Sequence, residues 1–234
     1  MKYKNFVNIL KKFNCKKDDI VLIHSDVSLL NGISWIEKCK NLESLIESYF
    51  SKNSTILFPA FTYSFCKTGI FNSKKSPSEV GIFDEYIRNK TGFNRTDHPI
   101  FSFSCKGKHE EIFLNNSNSS TGNGSVFEKL YVLDAKILFL GCRFINSNTF
   151  LHFIEQKNTI PYRYSKTFFP RNKMKYSNYE YYVRAKEKYL FYKYGKSTKI
   201  EKDLIAKKIL KRTFVDKFEI SVCSTRDIFN FVSK

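Results

Sequence analysis

Apolar and polar positions alternate with two different periods through the first two thirds of the chain. Residues 3–15 place apolar side chains at helical spacing, whereas residues 16–30 contain a β-rich run that ends in small polar residues. The same alternation predicts helices at residues 32–50, 82–90, 125–133 and 148–156, and strands at residues 54–63, 100–107 and 135–142. Helices that alternate with strands indicate an α/β fold, and we expect a mixed, largely parallel sheet flanked by helices.

The last third of the chain is less regular. Residues 214–232 predict a strand followed by a helix, but residues 157–200 are aromatic and basic without a clear period. Tyrosines within this segment stand near helical spacing, which predicts a helix with an inward aromatic face; they are Tyr176, Tyr179, Tyr182, Tyr189 and Tyr192. Because the chain shows neither a repeat nor a linker, we expect one domain over residues 1–234.

Composition indicates a globular protein that can bury a full core. The 234 residues are 42% hydrophobic and 17% aromatic. No apolar run reaches about 18 residues, and the charged N-terminal segment has no signal-peptide cleavage site, so we expect a cytoplasmic protein without a membrane span. The six cysteines contain no C-x-x-C pair, which predicts reduced core residues and no metal site.

The chain is strongly basic, and the excess is concentrated in one segment. Its formal net charge is +18, and residues 157–212 hold 17 Lys and Arg against four acidic residues, a net charge of +13. One interpretation is an anionic partner such as nucleic acid, a membrane surface or a phosphorylated small molecule. The other is a solvated face that is rich in lysine because the genome is AT-rich. The charge alone leaves both open.

A histidine and a glutamate stand three positions apart in the predicted helix at residues 148–156. Side chains at i and i+3 share one helix face, so the Glu155 carboxylate could bind one imidazole nitrogen of His152 and leave the other for a substrate proton. An isolated pair of this kind is more often a locally satisfied polar edge than a catalytic pair.

Polar loops follow the predicted strands, where α/β proteins build their sites. They lie at residues 24–32, 59–69, 95–105 and 146–156. A further stretch at residues 121–130 places two glycines and a serine before a helix, so its backbone N–H groups could bind a phosphate or a carbonyl oxygen. Most such helix starts are simple caps.

Six ordered motifs together resemble one enzyme family. They are "HSDVSLL", "PAFTYS", "PSEVG", "RTDHPIFSFSC", "GNGSVFEKL", and "FLGC" followed by "NTFLHFIE". In this order they resemble the aminoglycoside 3-N-acetyltransferase family, over the chain from Cys15 to about residue 165. The resemblance implies an α/β fold distinct from the common acetyltransferase fold, acetyl-coenzyme A as the donor, and transfer to an amine on a sugar ring.

The resemblance also implies site residues. The donor is expected to contact the loop after the first strand and the start of the fourth helix, at Ser25, Val27, Ser28, Leu29, Gly124, Ser125 and Val126. For the serines, helix capping is an equally open role. No R/Q-x-x-G-x-G/A pyrophosphate loop occurs, which agrees with a donor site built in another way.

The chemistry of acyl transfer to an amine suggests roles for the remaining polar residues. A sugar ammonium must lose a proton before it attacks a thioester, and a neutral imidazole suits that step. We therefore expect His152 to be the base and Glu155 to orient it. His98 is either a second base or a residue that closes its loop by a hydrogen bond. Substrate contacts are expected from Tyr63, Asp97, Thr149 and Arg163.

The acceptor is inferred from charge. An aminoglycoside is a polycation, whereas a dTDP- or UDP-linked amino deoxyhexose of surface-polysaccharide synthesis is an anion that suits a basic segment at residues 157–212. We therefore prefer the nucleotide-linked sugar, with an aminoglycoside as the alternative. Nucleic-acid binding, suggested by tyrosines interleaved with lysines, is a distant alternative because no RNA- or DNA-binding motif accompanies them. We expect small-molecule partners only, and a monomer or homodimer.

Overall fold

A computed structural model describes residues 3–185 and 197–233. Within them, seven strands form one sheet in the order β3-β4-β2-β1-β5-β9-β8, and β6 and β7 form a separate hairpin. The strands are β1 Ile20–Ser25, β2 Thr55–Pro59, β3 Asn94–Arg95, β4 Phe103–Gly107, β5 Lys136–Leu140, β6 Arg163–Phe168, β7 Tyr179–Arg184, β8 Lys211–Val215 and β9 Phe218–Ser224.

The helices lie between these strands and cover both faces of the sheet. They are α1 Tyr3–Lys12, α2 Trp35–Tyr49, α3 Phe65–Thr68, α4 Ile82–Arg88, α5 Glu110–Leu114, α6 Val126–Val132, α7 Phe144–Ser147, α8 Leu151–Lys157, α9 Ser197–Ala206 and α10 Thr225–Val232. None of the helices in the described ranges is long and apolar enough to cross a bilayer.

The sheet is parallel only at its centre. β1 pairs in parallel with β2 on one side and with β5 on the other, so that Leu22 lies opposite both Leu57 and Ile137. The outer pairs, β2 with β4 and β5 with β9, are antiparallel, as are β3 with β4 and β8 with β9. The predicted mixed α/β class is confirmed, but the expectation of a largely parallel sheet is wrong outside the three central strands. Strand direction depends on pairing between distant segments, which the local pattern does not encode.

The central strands are buried on both faces because two helical layers cover the sheet. In β1, Leu22 packs into one apolar core, and Val21 and Ile23 pack into the other. Helices α1, α2 and α4 supply the core around Val21 and Ile23, and helices α5, α6, α8 and α10 supply the core around Leu22. Strands that are buried on both faces have continuous apolar sequences, and residues 20–23 are such a sequence.

The tyrosine-rich segment is not a helix where the structure describes it. Residues Tyr179–Arg184 form β7, which pairs with β6 so that Arg163 lies opposite Arg184. The predicted helix is therefore wrong for this stretch, because β-forming Tyr and Val residues find a partner strand. Tyr179 and Tyr182 are buried, so they do not offer stacking platforms to nucleic acid. Tyr189 and Tyr192 lie outside the described residues.

Candidate active site

Helix α8 carries His152 and Glu155 on one face. The Nδ1 atom of His152 lies 3.1 Å from Oε2 of Glu155, and the hydroxyl of Tyr162 donates a 2.8 Å hydrogen bond to Oε1 of the same carboxylate. The other ring nitrogen of His152, Nε2, makes no hydrogen bond within the described part of the chain. His152 lines a cavity of about 150 Å³, so the pair borders space that a small molecule can enter.

Arg163 lies beneath this pair. Its Nη2 atom lies 2.8 Å from Nδ1 of His152, and its Nε atom lies 2.7 Å from Oε2 of Glu155. A third contact runs from Nη1 to the carbonyl oxygen of Tyr182 at 2.9 Å. Only 1% of the Arg163 side chain is exposed, and it does not line the His152 cavity. The structure therefore does not support Arg163 as a direct substrate contact; its guanidinium is part of the support for His152.

The electrostatics of the pair favour a neutral imidazole next to a carboxylate. Burial lowers the pKa of His152; the hydrogen bond that its ring donates to Glu155 opposes that shift, and the charges of Arg163 and Arg184 add to it. Burial alone would raise the pKa of Glu155, but its contacts with His152, Arg163 and Tyr162 bring that pKa below its ordinary value. At neutral pH the site thus holds an ionised carboxylate and an uncharged base.

Aromatic rings form one wall beside His152. The ring of Phe101 lies edge-on to the imidazole at 6.0 Å, and Tyr63 and Tyr181 pack against Phe101 at 5.9 and 5.3 Å. Tyr63 is therefore separated from the histidine by the ring of Phe101, and it does not line the His152 cavity, so the structure does not bring it into position for the predicted substrate contact. Burial raises the pKa of Tyr63, so its hydroxyl stays protonated.

Two buried polar atoms just before α8 have no hydrogen-bond partner among the described residues. They are Oγ1 of Thr149 and Nδ2 of Asn148, and both residues line the His152 cavity. Buried polar atoms in proteins are nearly always bonded, so atoms of this kind beside a cavity are available to a ligand. This position is consistent with the predicted role of Thr149, and Asn148 joins it.

The loop after β1 borders a second cavity, of about 560 Å³. Ser25, Val27 and Ser28 line it together with Lys38, whose Nζ atom donates to the Ser28 carbonyl at 2.7 Å. Oγ of Ser25 is buried and makes no hydrogen bond with the described residues. Leu29 is half-exposed and does not line this cavity.

Ser147 lines both cavities, so the loop after β1 and His152 are close neighbours. A molecule extended along the two cavities could place one end at the β1 loop and the other at the imidazole. This arrangement suits a long donor whose reactive end meets the base.

The second predicted donor segment has a different position. Val126 is buried in the core, and Oγ of Ser125 accepts the backbone N–H of Glu128 as a helix cap. The backbone N–H of Gly124 donates to Oε2 of Glu128, whose Oε1 binds Lys157 at the end of α8. None of Gly124, Ser125 and Val126 lines the two cavities. The structure thus shows the capping role for Ser125. Through Glu128 and Lys157, the segment also contacts the end of α8.

His98 has both ring nitrogens engaged with the backbone. Nδ1 accepts the Phe101 N–H at 3.1 Å, and Nε2 lies 3.2 Å from the Asn118 carbonyl oxygen. The side chain is 1% exposed, and burial lowers its pKa to about 4. It has no nitrogen to offer a substrate, so the catalytic role is not supported and the loop-closing alternative holds. Asp97 lines a separate surface cavity with Arg95 and Lys74.

Comparison with known proteins agrees with this geometry. The aminoglycoside 3-N-acetyltransferase family profile matches residues 22–234. The chain belongs to that family. A relative in Bacillus subtilis (strain 168), the SPbeta prophage-derived aminoglycoside N(3')-acetyltransferase-like protein YokD, is 27% identical over an alignment of 180 residues, and the match covers 66% of this chain and 64% of the relative. The aligned region thus spans less than two thirds of the relative's length.

Solved structures of aminoglycoside acetyltransferases share the fold. YokD from Bacillus subtilis superimposes with a TM-score of 0.78 at 21% identity, covering 100% of this chain and 98% of that one. AAC-VIa bound to sisomicin superimposes with a TM-score of 0.80 at 16% identity, covering 100% of this chain and 96% of that one. AAC-IIIb in binary complex with CoASH superimposes with a TM-score of 0.77 at 17% identity, covering 99% of this chain and 94% of that one. At these identities the likeness establishes the fold.

Four residues of this family member's site are missing from the sequence predictions. Tyr162 and Arg184 come from the region with no clear period, whereas Ser147 ends α7 and Asn148 lies in the loop before α8. The asparagine belongs to the "NTFLHFIE" motif, and that motif was the available signal for it. Arg184 lies in β7 and Tyr162 directly precedes β6, and no motif or period predicted this hairpin.

Proposed function

We propose that this protein is an N-acetyltransferase that uses acetyl-coenzyme A and takes the acceptor proton with Nε2 of His152. The observation that carries the proposal is the His152–Glu155 pair, with one nitrogen held and the other free at a cavity. Membership of the aminoglycoside 3-N-acetyltransferase family supports the reaction class. The complex of AAC-IIIb with CoASH supports the donor.

The reaction follows from the position of the imidazole. Nε2 removes a proton from the acceptor ammonium, and the freed amine nitrogen forms a bond to the thioester carbonyl carbon. The tetrahedral intermediate collapses, the carbon–sulfur bond breaks, and the imidazolium returns its proton to the departing thiolate. The second proton that the nitrogen loses on becoming an amide passes to solvent. Glu155 stabilises the imidazolium between these steps, and a positioned base of this kind contributes about 10²–10⁴ in rate.

We propose an aminoglycoside as the acceptor, and with it an antibiotic-resistance activity. The preference for a nucleotide-linked sugar rested on the net charge of residues 157–212, and the structure weakens that argument. Arg163 is buried against Glu155, while Lys157 and Arg212 pair with Glu128 and Glu201. The segment's charge is thus partly neutralised by acidic partners. AAC-VIa binds sisomicin, which supports a polyamine acceptor here.

We propose that residues 157–212 form the acceptor side of a single acetyltransferase domain; residues 186–196 of this segment lie outside the described structure. The β6–β7 hairpin supports the proposal. Arg163 and Arg184 are cross-strand partners in it, and Arg184 lines the His152 cavity. Because acetyl-coenzyme A is an intracellular metabolite, we propose that the protein acts in the cytoplasm.

Product analysis with a panel of acceptors tests the proposal. Purified protein is incubated with acetyl-coenzyme A and gentamicin, kanamycin, sisomicin, apramycin, or dTDP- and UDP-linked amino sugars, and acetylated products are quantified by mass spectrometry. Mass detection avoids thiol reagents, which would react with the six free cysteines. We expect kcat/KM for at least one aminoglycoside to exceed that of every nucleotide-linked sugar by about tenfold, a difference of about 1.4 kcal/mol.

Two results would contradict the proposal at different levels. Faster acetylation of a nucleotide-linked sugar than of every aminoglycoside would overturn the acceptor and keep the reaction. A folded protein that binds no coenzyme A by calorimetry would overturn the donor and the reaction class together.

A further inference from the structure

Two groups with opposite hydrogen-bonding character compete for one nitrogen of His152. Nη2 of Arg163 lies 2.8 Å from Nδ1, and Oε2 of Glu155 lies 3.1 Å from the same atom. A guanidinium only donates hydrogen bonds, and an ionised carboxylate only accepts them. Nδ1 therefore either accepts from Arg163 without a proton of its own, or carries a proton and donates it to Glu155. It cannot do both at once.

This choice decides whether the imidazole can act as a base. A neutral imidazole carries one proton, so an unprotonated Nδ1 places that proton on Nε2. Nε2 then faces the cavity as a donor and cannot take a proton from an amine. With the proton on Nδ1, Nε2 carries a lone pair and is competent.

The geometry of Arg163 favours the first state. The contact to Nδ1 is the shorter of the two, and the bond from Nη1 to the Tyr182 carbonyl anchors the guanidinium at 2.9 Å. Nε of Arg163 is close to Glu155 but makes no aligned hydrogen bond. The aligned donors of the guanidinium thus go to Tyr182 and His152. With 1% of its side chain exposed, Arg163 has no route into solvent.

We propose that Arg163 is a positioning residue that keeps the proton of His152 on Nε2 until an ammonium group enters the cavity. An ammonium group donates a hydrogen bond to Nε2, so it favours the tautomer in which Nε2 carries a lone pair. The ring proton then lies on Nδ1, which gives up the hydrogen bond from Arg163 and donates one to Glu155. The base becomes competent only when a cationic amine lies beside it. This step rests on the proposed role of His152 in acetyl transfer.

Three charged groups face His152 in the described structure: Glu155 from its own helix, Arg163 from β6 and Arg184 from β7. Arg184 is the cross-strand partner of Arg163, and its charge also acts on the imidazole. Replacing either arginine by methionine removes one positive charge near the imidazole, and Arg163→Met also removes the Nη2 donor that lies 2.8 Å from Nδ1. The two variants form a matched pair.

The tautomer is measured directly on the full chain without substrates. Long-range ¹H–¹⁵N correlation spectra of protein with ¹⁵N-labelled histidine distinguish protonated from unprotonated ring nitrogens, and His152→Gln assigns the signals among the four histidines. We expect a proton on Nε2 in the wild type and in Arg184→Met, and a proton on Nδ1 in Arg163→Met. Adding 2-deoxystreptamine, a diamino cyclitol, to the wild type should move the proton to Nδ1.

A proton on Nδ1 in the ligand-free wild type would overturn the proposal, as would an Arg163→Met spectrum that matches the wild type. If Arg163→Met does not fold, the scalar coupling across the Nη2–H···Nδ1 hydrogen bond in wild-type protein decides, and its absence counts against Arg163. These readouts do not depend on turnover. A chain that shows the tautomer change but acetylates no amine would support this inference and contradict the proposed function.

Discussion

The hydroxyl of Tyr162 donates a 2.8 Å hydrogen bond to Oε1 of Glu155, the carboxylate oxygen that does not face His152. Tyr162 is 1% exposed and lies at the end of the turn that joins α8 to β6. It therefore fixes the carboxylate from the side opposite the imidazole. A carboxylate held on both oxygens keeps its plane, which is what orientation of the base requires.

Replacing Tyr162 with phenylalanine should loosen this support. A buried hydrogen bond to a charged group contributes about 1.5–3 kcal/mol, so we expect the free energy of unfolding to fall by about that amount in urea titrations. Tyr182→Phe is the control, because its hydroxyl bonds the Ile160 carbonyl at 3.3 Å and does not touch Glu155. Equal kcat for Tyr162→Phe and the wild type would show that the carboxylate needs no second anchor.

Replacing His152 should separate catalysis from donor binding. We expect His152→Gln to lower kcat by at least about 10²-fold, because the variant lacks a base for the ammonium proton. The dissociation constant for coenzyme A, measured by calorimetry, should stay within about twofold. Glu155→Gln should lower kcat less, since the imidazole remains. Near-normal turnover of a folded His152→Gln enzyme would remove the histidine from the mechanism.

The cavity beside the β1 loop should bind the donor through Lys38. This lysine lines the cavity and holds the Ser28 carbonyl, and a pyrophosphate in the cavity would meet its positive charge. We expect Lys38→Met to raise the KM for acetyl-coenzyme A about tenfold, or about 1.4 kcal/mol, and to leave the acceptor KM unchanged.

Lys40 on the same helix is exposed and does not line this cavity, so Lys40→Met removes the same charge without the contact. An equal rise in donor KM for both variants would point to net charge rather than to a site at Lys38.

Buried histidines should make the fold sensitive to acid. Burial lowers the pKa of His24 to about 3 and that of His98 to about 4, from an ordinary value of 6.5. Below pH 6.5 the unfolded chain therefore binds more protons than the folded chain, and stability falls as the pH drops toward 4. At pH 5 each of these histidines should lower the free energy of unfolding by on the order of 2 kcal/mol.

His24→Phe tests this sensitivity, because Nε2 of His24 is buried without a partner and its ring stacks on Phe139 at 5.4 Å. The variant should lose less stability than the wild type between pH 7.5 and pH 5 in urea titrations. Parallel losses in both proteins would contradict the assignment to His24.

The sequence predicted what local spacing controls. His152 and Glu155 meet because residues three apart on a helix always share a face, and Ser25 lies at a strand end because β1 is a continuous apolar run. Arg163 was predicted as a substrate contact, but its position beneath the pair and the role of Tyr162 could not be predicted, because both residues approach α8 from the start of the β6–β7 hairpin, a pairing between segments with no periodic signal. Gly124 lay in a family motif, but its motif could not show that the loop faces the end of α8 rather than a ligand.

Strand β9 pairs along the whole of β5, but the ribosome synthesises β9 much later than β5. On the ribosome, at roughly 5–20 residues per second, β5 emerges several seconds before its partner. During that time the apolar edge from Ile137 to Leu140 is unpaired and can template other nascent chains. Recovery of folded enzyme from an expression host should therefore depend on chaperone supply, and co-expression of chaperones that shield the unpaired β5 edge should yield more soluble protein.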